Sequence, residues 1–266
     1  MIAARIKPLD LAARSATTLF SEFATLAIAI AGPEFLRCAI YFMDSLLAAE
    51  NNQAGFFPWW STKAVDLSLV SVMFVIIIRY LVLGKTPKLM PMLLPWKSIS
   101  LVALIMLPLW FALDALTDQA MLLRFYHPFT ARWTEEEIVR AVFYFSIFSF
   151  FLHVFAVSML YPLLGIAAST GEFMLHKYFT WLKRQFIPFF VLAALLIASI
   201  EAIRILYGKL LAGISTQFPP SPLSFDWKTA ILEQLSYVPI DFVYVAVPSI
   251  AISLIFTELR TTDPIL

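Results

Sequence analysis

Apolar residues along this chain fall in continuous runs of about twenty, separated by short clusters of charge, proline and tryptophan. The runs predict six helical spans, Leu19–Met43, Ala64–Leu83, Ile99–Leu116, Ile138–Leu164, Phe186–Tyr207 and Ala230–Phe256. Each is long enough to cross an apolar slab of ~30 Å at ~1.5 Å per residue. Because the runs are continuous and do not alternate, a transmembrane barrel is disfavoured. Helix-start signals support two boundaries: Thr134 to Glu137 matches a capping box before span four, and Ser61 or Thr62 can cap span two. The expected fold is all-α, a polytopic transmembrane bundle forming one integral membrane domain over residues 1–266.

The polar clusters add an internal order. Three segments, "ARIKPLDLAARSA", "GKTPKLMPMLLPWK" and "GEFMLHKYFTWLKRQ", are basic and partly apolar, and each precedes an outward span, a loop and a returning span. The chain therefore reads as three consecutive helical hairpins, each led by an interfacial segment. In the third segment Phe173, Leu175, Tyr178, Phe179 and Leu182 sit beside His176, Lys177, Lys183 and Arg184, which predicts a helix lying along the membrane surface. The outward spans carry an acid at one depth. Glu34, Asp114 and Glu201 each lie ~22 Å of helix past the first residue of their span. Internal repeats are common in transport proteins; here the match is strongest between hairpins one and three and weakest in the middle, and chance is the competing explanation.

Composition agrees with a membrane protein. Of 266 residues, 61% are hydrophobic and 14% are charged, and mean hydropathy is +0.84; a soluble domain carries about 25% charged residues. Lysine and arginine gather on one side, at Arg5, Lys7, Arg14, Arg79, Lys85, Lys88, Lys97, Lys177, Lys183, Arg184 and Arg260. The other side holds fewer, diluted by Asp118 and Glu135 to Glu137, so both termini are expected in the cytoplasm. The net charge of +1, without a basic cluster, gives no footing for nucleic acid. Cys38 is alone, which excludes an internal disulfide. The start of the chain has the outline of a secretory signal, but its charged region is long and its layout recurs twice, so cleavage is not expected.

Charge inside the spans is the candidate chemistry. Glu34 and Arg37 lie three residues apart on one helix face, and Glu201 and Arg204 repeat the spacing. A charge at the membrane centre costs ~2.5–3.5 kcal/mol on insertion scales, so such groups face the bundle interior and pair. Asp66, Asp114, Glu233 and Asp241 lie at similar depth, with Tyr41, Tyr207, Tyr237 and Tyr244 as donors; His153 sits deeper. Pro239 precedes Asp241 and Pro33 precedes Glu34, and broken helices beside charges are where transporters place their sites. The expected binding set is Glu34, Arg37, Asp114, Glu201, Arg204 and Asp241, in a polar pocket opening toward the outer face. The bland reading is that these pairs only snorkel to the interface or tie neighbouring helices together.

Two stretches, "GEFMLHKYFTWLKRQFIPFFVLAALL" and "AVPSIAISLIFTELR", resemble parts of the bacterial membrane proteins related to the glycerophosphoryl diester phosphodiesterase membrane domain. That resemblance covers about a quarter of the chain. It implies a six-helix inner-membrane fold without a phosphodiesterase centre, and it carries over no functional residue.

No glycine-rich phosphate loop, nucleophile elbow or zinc-protease helix is present, and His127, His153 and His176 fall at three different depths. No catalytic residue, metal or cofactor is expected. Two functions fit: a permease-like or lipid-handling protein that binds a polar or amphiphilic small molecule, or a non-catalytic accessory subunit docking membrane-protein partners through its phenylalanine-rich faces. A lipid head-group enzyme, needing Glu233 or Asp241 beside His153, ranks third.

Overall fold

A computed structural model describes residues 7–50, 59–84, 95–107, 134–215 and 227–262, and their regular structure is helical throughout. The helices are α1 (Pro8–Ser21), α2 (Phe23–Glu50), α3 (Trp59–Leu83), α4 (Trp96–Leu107 in its described part), α5 (Glu135–Thr170), α6 (Leu175–Ser215) and α7 (Trp227–Thr262). Among the described residues, five helices are long and apolar enough to cross a membrane: α2, α3, α5, α6 and α7. The described part of the third predicted span is shorter, and the rest of that span, with Asp114, lies outside the described residues.

α7 is the hub, packing on α1, α2, α3, α5 and α6. α3 is its central partner and also meets α2 and α5. The sequence explains this placement. From Val70 to Ile78, α3 is apolar around its whole circumference apart from Ser71, and every residue in that stretch is buried. Ser71 bonds the Leu67 carbonyl 2.7 Å away, satisfying its hydroxyl within the helix. Ser249 and Ser253 do the same on α7. Pro33, Pro188, Pro239 and Pro248 are all accommodated inside helices.

Small residues let α5 approach α7. A Cβ on Gly165 would stand 3.0 Å from Ile252 Cγ2 and 3.7 Å from the Phe256 ring. At the end of α5, Gly171 takes φ 69°, the left-handed conformation that closes a helix at little cost only for glycine. Ser98 Oγ would lie 3.1 Å from a Cβ there, so α4 begins beside the end of α5. Arg79 donates to Ser98 at 3.3 Å, Tyr80 to Glu22 at 3.0 Å, and Arg14 pairs with Glu258. Arg14 and Arg79, which the lysine and arginine distribution assigns to one side, therefore lie at one end of the bundle.

Several boundaries differ from the sequence reading. The first span begins at Phe23 and not Leu19, because Glu22, at φ −103° and ψ 8°, ends α1 while its carbonyl accepts the first bond of α2. Ser61 and Thr62 lie inside α3, which has already started at Trp59, so neither caps it. The third basic segment is no separate surface helix: α6 runs unbroken from Leu175 to Ser215, roughly 60 Å. Tyr178, Trp181 and Leu182 are buried, which draws the segment onto the bundle, while Phe173 and Phe179 stay exposed. The second basic segment lies almost wholly outside the described residues.

The capping box of α5 forms as expected. Thr134 donates its backbone N–H to Glu137 Oε2 at 2.8 Å, and the Glu137 N–H donates to Thr134 Oγ1 at 3.3 Å. The Thr134 backbone bond, then its hydroxyl, holds the Glu137 carboxyl below the usual carboxylate range. A lowered value in the folded state means that the cap is intact above the ordinary carboxylate range and is lost as pH falls through the lowered one. Protection of the Thr134 amide, its exchange rate measured against the intrinsic rate at each pH, is expected to fall over that acidic window in the wild type, and to be low and unchanged with pH in Glu137→Ala.

Candidate functional site

Three helices converge on Arg37. Its Nε donates to Asp66 of α3 in direct contact, and Nη1 donates to Asp241 Oδ2 of α7 at 2.7 Å. On its own helix, Nη1 stands 3.5 Å from Glu34 Oε1. The guanidinium also lies 5.7 Å from the Tyr41 ring centroid. Spacing fixes the local part: residues 34, 37, 38 and 41 share one face of α2. Asp66 is 3% exposed and Glu34 6%, so this is a buried ionic cluster rather than a pair escaping to the head groups. Charges in apolar surroundings persist only when paired in this way.

Glu201 and Arg204 are placed differently. Arg204 donates to Glu201 through Nε at 2.9 Å and Nη2 at 2.8 Å, but its side chain is 61% exposed. Tyr244 of α7 donates to the other oxygen, Glu201 Oε1, at 2.9 Å. One turn along α6, the Tyr207 hydroxyl donates to the Ser236 carbonyl at 2.5 Å, one turn before Pro239. A proline leaves the carbonyls of the preceding turn short of donors, and Tyr207 supplies one. The second pair thus ties α6 to α7 at its exposed edge.

Between the two groups lies a cavity of about 540 Å³. Arg37, Asp241, Glu201, Arg204, Tyr244 and His153 line its polar part. Its remaining wall is apolar, built by α3, α5, α6 and α7 through residues such as Phe74, Val157, Leu160, Leu164, Ile197 and Val245. Of the six residues expected to form a site, four line this one cavity. Glu34 stands behind Arg37, and Asp114 lies outside the described residues.

His153 Nδ1 lies 2.9 Å from the Ser149 carbonyl. A carbonyl only accepts, so Nδ1 carries the hydrogen and Nε2 is left for the cavity. Asp241 shares that cavity with His153 without bonding to it. The side chain of Glu233 lies outside the described residues. Among the described residues no group of three or more His, Cys, Asp or Glu side chains is arranged to hold a metal ion.

The sequence reading grouped Asp66 with polar residues of similar depth and left it out of the binding set. It is the acid in closest contact with Arg37. Its signal, an acid opening the apolar stretch "AVDLSLVSVM", is too common near helix ends to single it out.

Comparison of the chain with protein-family models, with curated proteins and with solved structures finds no match. Composition, helix length and the buried ionic cluster fit a multi-pass membrane protein.

Proposed function

We propose that this chain is a permease-like or lipid-handling protein of a bacterial inner membrane that takes an amphiphilic small molecule into the cavity between α3, α5, α6 and α7. It would cross the membrane six times as three hairpins, with both termini in the cytoplasm, in keeping with the lysine and arginine distribution and the resemblance described above. The observation that carries the reading is one cavity with charge at one part and an apolar wall along the rest. At about 540 Å³ it falls within the usual range of small-ligand pockets, roughly 300–1,000 Å³. A polar head would meet Asp241, Glu201 and Arg204, and an apolar tail would lie along Val157, Leu160 and Leu164.

Asp241→Asn tests the proposal without dismantling the cluster, because Arg37 keeps Asp66 and Glu34 as counter-ions. The variant is expected to accumulate and melt like the wild type. An amphiphile seen by native mass spectrometry on protein released from membranes should be bound by the wild type and reduced at least tenfold in the variant. Retention of the same amphiphile by Asp241→Asn would contradict a head-group role, and failure of the variant to accumulate would make the acid structural.

A second reading is an accessory subunit of a membrane complex. Phe143, Phe148 and Phe151 are exposed along α5, which favours a partner helix there. Co-purification of a stoichiometric partner in mild detergent would support it.

A further inference from the structure

We infer that the apolar part of the cavity carries a second polar site, which takes a hydroxyl borne on the ligand's chain, with the Tyr161 hydroxyl as donor and the Tyr244 backbone carbonyl as acceptor. The inference rests on the proposed binding of an amphiphile in this cavity, and it names the class: an amphiphile with a hydroxylated chain.

The first observation is a hydroxyl left without an answer. Tyr80, Tyr207 and Tyr244 donate to Glu22, to the Ser236 carbonyl and to Glu201. Ser71, Ser158 and Ser249 bond back to carbonyls of their own helices. Tyr161 departs from this pattern. Its side chain is 5% exposed and lines the cavity, and none of the described residues bonds its hydroxyl. It is also the one polar side chain among the described residues that form the apolar part of the wall. A buried hydroxyl without a partner is costly, so the partner comes from what fills the cavity.

The second observation lies on the facing helix. Pro248 sits inside α7 and lines the same cavity. Having no N–H, it leaves the carbonyl one turn earlier, that of Tyr244, without its helical donor. The following carbonyl, that of Val245, is by contrast taken by the Ser249 hydroxyl at 2.7 Å. Tyr244, Val245 and Pro248 all border the cavity, so the freed carbonyl opens on its wall. Helix packing brings donor and acceptor level. α5 ends with Gly171 beside Ser98, the partner of Arg79, and α7 carries Glu258 to Arg14, so both helices run toward the same end of the bundle. They touch closely where Gly165 meets Ile252. One turn before that contact stand Tyr161 on α5 and Pro248 on α7, and the Tyr244 carbonyl points along the helix axis toward position 248.

One donor and one acceptor across a space walled by Phe74, Leu160 and Leu164 fit an alcohol. Its oxygen accepts from Tyr161 and its hydrogen goes to the Tyr244 carbonyl. A ketone or ester would satisfy the tyrosine alone, and a plain methylene neither group. Tyr161 lies ~12 Å of helix past His153, which lines the polar part of the cavity. The hydroxyl therefore belongs near the middle of the chain, well away from the head.

Equilibrium binding of stearoyl glycerol, and of the same lipid hydroxylated at mid-chain, to the full-length protein tests this by native mass spectrometry. The glycerol head offers donors to Asp241 and Glu201 and acceptors to Arg204. The wild type is expected to bind the hydroxylated lipid about tenfold more tightly than the plain one. Tyr161→Phe, which removes a single oxygen, should abolish that preference and leave binding of the plain lipid unchanged. Pro248→Ala, which returns an N–H to the Tyr244 carbonyl, should reduce the preference. Equal binding of the two lipids by the wild type would mean that water satisfies the pair, and this result or a preference that survives in Tyr161→Phe would overturn the inference while leaving the cavity's proposed function standing. A wild type that binds neither lipid would overturn both. Should Tyr161→Phe fail to accumulate, the wild-type ratio and its change in Pro248→Ala decide.

Discussion

Replacing Arg37 with glutamine is expected to destabilise the bundle by about 3–5 kcal/mol, the cost of stripping a buried ion network of one partner. In most expression hosts that would appear as protein that fails to accumulate. The reason is local. Asp66, 3% exposed, would lose the donor at its oxygen, and Asp241 and Glu34 would lose the same partner. Lysine should rescue poorly, because a single ammonium cannot reach Asp66 and Asp241 from two directions as Nε and Nη1 do. Arg37→Gln combined with Asp66→Asn and Asp241→Asn should recover most of the loss, since the triple change removes the charges together. Melting temperatures of the single and combined variants in one detergent measure the effect, and equal damage in all of them would show that the arginine acts through packing alone.

Gly165→Leu is expected to be nearly as harmful by a different route. Even a Cβ at this position would stand 3.0 Å from the Ile252 methyl, and both Ile252 and Phe256 are buried in the core. Helix propensity favours alanine over glycine by ~1 kcal/mol. Alanine therefore sets a gain in helix stability against a tight contact, whereas leucine adds three further carbons with nowhere to go. Overpacking of this kind typically costs about 1–3 kcal/mol, and here it would push α5 from α7 along the wall that bounds the cavity. Thermal unfolding should place Gly165→Leu well below Gly165→Ala. A leucine variant as stable as the wild type would show that the two helices are not pressed together at Gly165.

The sequence made some of this legible and concealed the rest for physical reasons. α3 could be read almost whole, because a helix buried on all sides needs no face pattern and shows itself as an unbroken apolar run. The Thr134–Glu137 cap was equally plain, since both reciprocal bonds depend on residues within one turn. Glu34 and Arg37 could be paired from their spacing alone. That spacing could not reveal that Asp66 and Asp241 would take the better bonds, because those contacts reach from α2 to α3 and α7 and depend on how the helices dock. Nor could it distinguish Glu34 from Glu201: both open the same four-residue pattern, yet one is buried behind its arginine and the other lies at an exposed edge. The third basic segment misled for a related reason. Its charges and aromatics describe an interfacial helix, but Tyr178, Trp181 and Leu182 found buried positions on the bundle, and nothing between Leu175 and Ser215 breaks the helix.

A density map of the protein in lipid nanodiscs would test most directly whether charges from α2, α6 and α7 border one shared, ligand-sized space. The predicted result places the Arg37 guanidinium between Asp66 and Asp241, with elongated density running from Asp241 and Glu201 along Leu160 and Leu164. A map in which Arg37 and Asp241 turn separately to the lipid head groups, with side chains closing the space between them, would contradict it.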